Sequence, residues 1–277
     1  MASPGPEAFF LGEGAGSLFC LLHHPPPGMP LNGSAIYLHP FAEEMNKARR
    51  MAAVQARALA AAGWMVLQAD MRGCGDSAGD FGAATWQAWV DDALRLSDWL
   101  TERSGRRPVL WGLRAGCLLA AAVARTHANS HDLLFWQPVL AGKQHLQQFL
   151  RLKVAGAMLG EGRQAGGSTR GMRDSLQAGL AVEVAGYLLR PELALGLDAA
   201  TLAPPAAGGR LKWIELSAAA VPEIAPGSRQ SIATWQAAGW QVEVQMLSGA
   251  AFWQTQEIEE VPGLIARTLV MLGGTAS

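Results

Sequence analysis

Short apolar runs alternate along this chain with longer stretches in which apolar positions recur every three or four residues, and the two periods predict strands and helices in turn. Phe9 to Gly12 and Ser17 to His23 flank Glu13-Gly14-Ala15-Gly16, a Gly-rich joint that predicts an antiparallel hairpin at a sheet edge. A proline loop, Pro25 to Pro30, ends the second run. From Ser34 the rhythm becomes buried strand then helix: Ala35-Ile36-Tyr37-Leu38, a helix over Lys47 to Ala62, then Trp64-Met65-Val66-Leu67, which together make a βαβ unit. Trp86, Trp89, Val90, Ala93, Leu96 and Leu100 fall at helical spacing with Asp91, Asp92, Arg95 and Asp98 between them, so these tryptophans are expected to be core. Strand Pro108 to Trp111, helix Ala115 to Arg125 and strand Asp132 to Trp136 continue the alternation.

Between Gly142 and about Gly209 the alternation breaks. Two amphipathic helices, His145 to Met158 and Ser175 to Leu189, a Gly-rich joint from Gly160 to Gly171 and Pro204-Pro205 predict a helical cap inserted into the sheet domain. Strand Leu211 to Leu216, helix Arg229 to Ala238, strand Gln241 to Leu247 and helix Ile258 to Met271 then resume it. The expected organisation is a core over residues 1–141, a cap over 142–209 and the rest of the core over 210–277.

Composition narrows the function. Half of the 277 residues are hydrophobic and 16% are charged, enough apolar surface for a large core. A net charge of −1, with no run of like charge, argues against a nucleic-acid partner. The longest apolar stretch, Val109 to Ala124, is interrupted by Arg114 and is read as strand, turn and helix, not as a membrane span. Cys20, Cys74 and Cys117 are odd in number and have no paired spacing, which predicts reduced thiols and neither a disulfide scaffold nor a zinc site. The first ten residues lack a basic segment followed by an apolar one, so a cytoplasmic protein without a signal peptide is expected.

Three local motifs carry candidate chemistry. Gly112-Leu113-Arg114-Ala115-Gly116 joins a strand to a helix, as in the nucleophile elbow G-x-S-x-G. His39-Pro40-Phe41 follows the third strand, where a backbone N–H contributes to an oxyanion hole, with Phe41 and Ala115 as the matching donors. Asp70-Met71-Arg72-Gly73-Cys74-Gly75-Asp76-Ser77-Ala78-Gly79 resembles the D-x-R-G-x-G-x-S-x-G loop of many α/β hydrolases, in which Ser77 would be a loop hydroxyl. Motifs and element order together resemble the α/β-hydrolase fold, which implies a mostly parallel eight-strand sheet with helices on both faces.

The family's catalytic residues are missing from their slots. Arg114 occupies the nucleophile position, and a guanidinium carries only donors and cannot attack a carbonyl. The acid slot reads Ser217-Ala218-Ala219-Ala220-Val221-Pro222 and the histidine slot Ser248-Gly249-Ala250-Ala251-Phe252-Trp253, with no histidine after His145. Cys117 and Cys74 are expected to be buried structural thiols. His127 and His131 flank a turn and make a poor metal pair, His23-His24 ends a strand, and His145 is read as a cap-helix surface residue. No cofactor and no metal are expected.

The string from His39 to Arg50, together with Gly112 to Gly116, Phe135-Trp136-Gln137-Pro138-Val139 and Gly249 to Gln254, resembles the exosortase A system-associated hydrolases of the second type. That resemblance implies a bacterial cytoplasmic protein linked to exopolysaccharide biosynthesis and protein sorting. Two functions are carried forward. One is a noncatalytic homologue binding a small anionic or acyl ligand, or a protein of that system, in a cleft lined by Arg114, His39, Phe41, Glu43, Glu44 and Trp253. The other is an active hydrolase or acyltransferase in which Glu43 or Glu44 serves as base and Arg114 as electrophilic clamp. In either case a buried guanidinium at the elbow needs an acceptor, and Glu43 or Glu44 is expected to pair with it, beneath a roof of Phe41, Trp253 and the cap.

Overall fold

A computed structural model describes residues 5–126, 131–158, 168–219 and 221–273. His127, Ala220 and most of the Gly-rich joint lie outside the described residues. The chain opens with strands β1 (Glu7–Leu11) and β2 (Leu18–His23), then β3 (Gly33–Leu38), helix α1 (Glu43–Ala61), β4 (Trp64–Ala69), α2 (Trp86–Ser104), β5 (Val109–Leu113), α3 (Ala115–Thr126) and β6 (Leu133–Trp136). It closes with β9 (Arg210–Ser217), α7 (Pro226–Ala237), β10 (Gln241–Ser248) and α8 (Pro262–Met271). Eight strands form one sheet in the order β1-β2-β4-β3-β5-β6-β9-β10. β1 and β2 are antiparallel, β2 pairs antiparallel with β4, and every other pairing is parallel, so the hairpin and the buried βαβ units form as their patterns predict.

Each sheet face carries its own core. On one side α2 and α3 bury Trp89, Ala93, Leu96, Leu118 and Val123, and on the other α1 and α8 cover Tyr37, Trp111 and Trp136. Local chemistry sets the helix ends. Thr85 Oγ1 accepts from the Ala88 N–H at 3.0 Å to start α2, and Gly105 ends it in the left-handed region.

The described residues between β6 and β9 contribute no strand to the main sheet. They fold as α4 (Gly142–Met158), α5 (Thr169–Gln177), a hairpin of β7 (Val182–Val184) and β8 (Tyr187–Leu189), and α6 (Pro191–Ala199). The two ends of this insertion are tied by a bridge between Ala141 and Thr201. The expected helix over Ser175 to Leu189 is corrected here: α5 ends at Gln177, and the rest is the hairpin. Val182-Glu183-Val184 alternates buried and exposed, and Ala185-Gly186 turns with φ of 49° and 82°, which fits a hairpin turn of type I′. The last helix begins at Pro262 instead of Ile258, because proline at the first helical position presets the start. α1 begins at Glu43, so Glu43 and Glu44 form its first turn and do not lie on a loop.

Candidate functional site

The site sits at the C-terminal ends of β3 and β5. Arg114 joins β5 to α3 with φ of 56°, a left-handed conformation uncommon for a side-chain-bearing residue. Its flanking glycines are required by close approach. A Cβ on Gly116 would stand 2.1 Å from the Leu38 carbonyl oxygen, and one on Gly112 would stand 2.6 Å from the Cys117 nitrogen. The turn therefore has the tight strand-to-helix form of a nucleophile elbow, with arginine at its apex.

Arg114 turns inward. Its side chain is 12% exposed, and Nε donates to Glu44 Oε1 at 3.3 Å, longer than the roughly 2.7–2.9 Å of a tight charge-assisted bond but within ion-pair range. The guanidinium carbon stands 5.5 Å from the centre of the Trp253 ring. Glu44 is 5% exposed, and burial pushes its carboxyl up to about 7 although the Arg114 charge and the Gln254 amide pull it back. Glu43 is half-buried and shifts in the same direction for the same reason.

His145, expected on the surface of the cap, is 4% exposed and 4.0 Å from Glu44 Oε2. In α4 it shares the inward face with Leu146, Phe149 and Leu150, and its spacing of four from Phe149 is the signal that places it there. Burial and the Arg114 charge hold its imidazole down to about 3, so it is neutral near pH 7. A cavity of about 350 Å³ opens beside these groups, with Phe41, Glu43, Glu44, His145 and Phe149 among its walls and Gln148 and Gln254 at its exposed rim. Sequence reading missed His145, Gln148 and Gln254, which meet only through folding.

Other expected site residues lie differently. His39 is buried with both ring nitrogens engaged: Nδ1 donates to the Pro40 carbonyl at 2.8 Å and Nε2 accepts from the Met71 N–H at 3.1 Å. It holds the loop in place. Phe41 is 1% and Trp253 4% exposed; Phe41 and α4 of the insertion wall the cavity, while Trp253 lies under Arg114 and does not border it. Phe41 and Ala115, the expected oxyanion donors, border a void of about 10 Å³ closed by Trp86, Trp89 and Leu119, hardly enough for one water. Ala218 is exposed after β9 and Ala251 half-buried after β10, where neither offers an acid or a base. Nearby Glu215 is buried and accepts from Trp213 Nε1 at 2.8 Å.

The Gly-rich loop after β4 is structural. Asp70 pairs with Arg49 at 3.2 Å and accepts from the Asp76 N–H, while Ser77 Oγ bonds the Asp70 carbonyl and accepts from the Phe19 N–H. Cys74 and Cys117 are buried, and burial raises both thiols, Cys74 to about 12, which removes them as nucleophiles. His131 packs against the Pro108 carbonyl at 3.2 Å. Among the described residues no group of His, Cys, Asp and Glu could hold a metal, and no helix is long and apolar enough to cross a membrane.

Residues 32–169 match the family described as serine aminopeptidase, S33. No curated protein matches the chain in sequence. Among solved structures, a lidless α/β serine hydrolase from Xanthomonas campestris is 16% identical over 96% of this chain and 94% of its own, with a TM-score of 0.56. The monoglyceride lipase of Saccharomyces cerevisiae, in complex with a substrate analogue, is 13% identical over 98% of this chain and 96% of its own, with a TM-score of 0.64. A thermostable carboxyl esterase from Bacillus coagulans is 14% identical over 97% and 99%, with a TM-score of 0.60. At such identities the likeness speaks for the fold. With this strand order, an elbow between β5 and α3, and a family match that spans both, the chain has the α/β-hydrolase fold.

Proposed function

We propose that this α/β-hydrolase homologue has no serine-triad activity and acts as a binding or accessory protein, with residues 142–209 as a cap and the cavity between α1 and α4 as its recognition site. The observation that carries this reading is the buried pair of Arg114 and Glu44 at the elbow. The pair neutralises the apex where a nucleophile would stand, and the void bordered by Phe41 and Ala115 is about 10 Å³, too small for an acyl group. Alanine at positions 218 and 251 supports the same reading. The resemblance described above adds a cytoplasmic role beside exopolysaccharide biosynthesis and the exosortase system.

A second reading rests on Glu44 itself. A buried carboxyl raised to about 7, with Oε2 bordering a cavity and a neutral imidazole 4.0 Å away, has the properties of a general base for an ester or thioester substrate. Purified protein is assayed against short acyl esters and thioesters, with Arg114→Ala, Glu43→Ala and Glu44→Ala variants alongside. Rates at the buffer level for every protein are expected. Robust turnover that either glutamate substitution abolishes would replace the binding reading with the catalytic one.

A further inference from the structure

The cavity between α1 and α4 ends in buried polar atoms that the chain leaves unmatched. Among the described residues, Glu43 Oε2, Glu44 Oε2 and both ring nitrogens of His145 are buried without a hydrogen-bond partner. Buried polar groups are nearly always satisfied, so four such atoms around one cavity call for a partner that the chain does not supply. Three of the four sit on side chains that border the cavity at 5% exposure or less, namely those of Glu44 and His145.

Their chemistry selects the partner. Ionised carboxylate oxygens accept, the Glu44 carboxyl in its protonated form also donates, and a neutral imidazole offers one N–H donor and one acceptor nitrogen. Amide groups of Gln148 and Gln254 at the rim extend the same mixed pattern. An anion is poorly served. Arg114 does not border the cavity and already faces Glu44, while Lys47 at the rim donates to the Gln254 carbonyl at 3.2 Å. Burial raises both Glu43 and Glu44, so their negative charge does not exceed the positive charge of Lys47 and Arg114, and an organic cation gains little either. Phe41 and Phe149, ring centres 5.1 Å apart and perpendicular, supply an apolar wall for C–H groups. At about 350 Å³ the cavity lies near the small end of the range for ligand sites, room for one ring.

Resting on the binding reading above, we propose that this cavity holds a neutral polyhydroxylated molecule of the size of one sugar ring, whose hydroxyls donate to Glu43 and Glu44 and exchange hydrogen bonds with His145. A hydroxyl both donates and accepts without bringing charge, which matches a wall of this composition, where a carboxylate only accepts and a phosphate sets negative charge beside Glu43.

The full chain is titrated near pH 7 with glucose, galactose, N-acetylglucosamine and glycerol, and in parallel with acetate and inorganic phosphate, by saturation-transfer NMR and thermal shift. Saturable binding of at least one neutral sugar is expected, weakened roughly tenfold or more by His145→Leu and by Glu43→Gln. Gln148→Ala, a rim change on the exposed face of α4, is expected to weaken it as well and serves if the buried substitution unfolds the protein. Saturable binding of acetate or phosphate in place of sugars, or no saturable binding by any of the six, overturns the ligand class while leaving the binding reading standing. Ester turnover in the preceding assay would overturn that reading itself, whatever the sugars do.

Discussion

Replacing Arg114 by alanine tests the physical logic of the elbow most directly. In the wild type Glu44 titrates at about 7, raised by burial and held there by Arg114. A carboxyl whose folded-state pKa lies above its unfolded value of about 4.3 contributes stability at low pH that is lost as pH rises through the folded pKa. Without the guanidinium the folded pKa climbs further, so the variant goes on losing stability at pH values where the wild type has finished. Near pH 6 Glu44 is largely protonated in both proteins. The cost there is limited to the contact over the Trp253 ring, about 0.5–1 kcal/mol, and to the lost packing of the arginine stem, a total of about 1–2 kcal/mol. Above pH 7 each further unit adds about 1.4 kcal/mol until the new pKa is reached, so near pH 8.5 the deficit should be on the order of 3–4 kcal/mol. That matches the roughly 3–5 kcal/mol for orphaning one partner of a buried pair. Alanine keeps its Cβ in the left-handed conformation at φ 56°, so no relief of backbone strain offsets the loss. Urea unfolding near pH 6 and near pH 8.5 reads both values, and the Arg114→Ala/Glu44→Gln double variant should lose the pH dependence. A deficit of equal size at the two pH values would refute the reasoning, because it would mean that Arg114 does not hold the Glu44 charge.

Three further outcomes follow from the same geometry. Arg114→Ser supplies a hydroxyl but no base, since alanine fills positions 218 and 251, and its ester hydrolysis should stay at the buffer rate; turnover orders of magnitude above it would contradict the vacant triad. Gly116→Ala places a methyl 2.1 Å from a backbone carbonyl that cannot move aside without shifting β3, so melting should fall by many degrees or soluble protein be lost, and a variant melting like the wild type would refute the close-approach argument. The neutral buried imidazole of His145 contributes stability above its unfolded pKa of about 6.5 that is lost as pH falls toward about 3, so His145→Leu should flatten the acid limb of a circular-dichroism titration, and an unchanged limb would remove His145 as its source.

Much of the fold was legible in the sequence because its signals are local. Period-two and period-3.6 patterns marked the sheet strands and most helices, and Gly112 and Gly116 marked a turn that their missing Cβ atoms make possible. Arg114 at the apex of that turn was read directly, since the side chain an elbow presents is a matter of residue identity. The Arg114 pair with Glu44 followed from topology, which sets the chain leaving β3, and with it the first turn of α1, beside the elbow. Where local signals were weak, the sequence misled: a short hairpin of three-residue strands passed for a helix, because Ala185-Gly186 is a less familiar pair for that turn than Asn-Gly. His145 looked like one polar residue on an amphipathic helix. Only tertiary packing settled that α4 lays this face against the first turn of α1, and that dehydration there makes a neutral imidazole and a carboxyl titrating near 7 neighbours in one cavity. A protonation state depends on how much water the surrounding elements exclude and on which charges they bring close, and those elements come from segments about a hundred residues apart, beyond the reach of any local pattern.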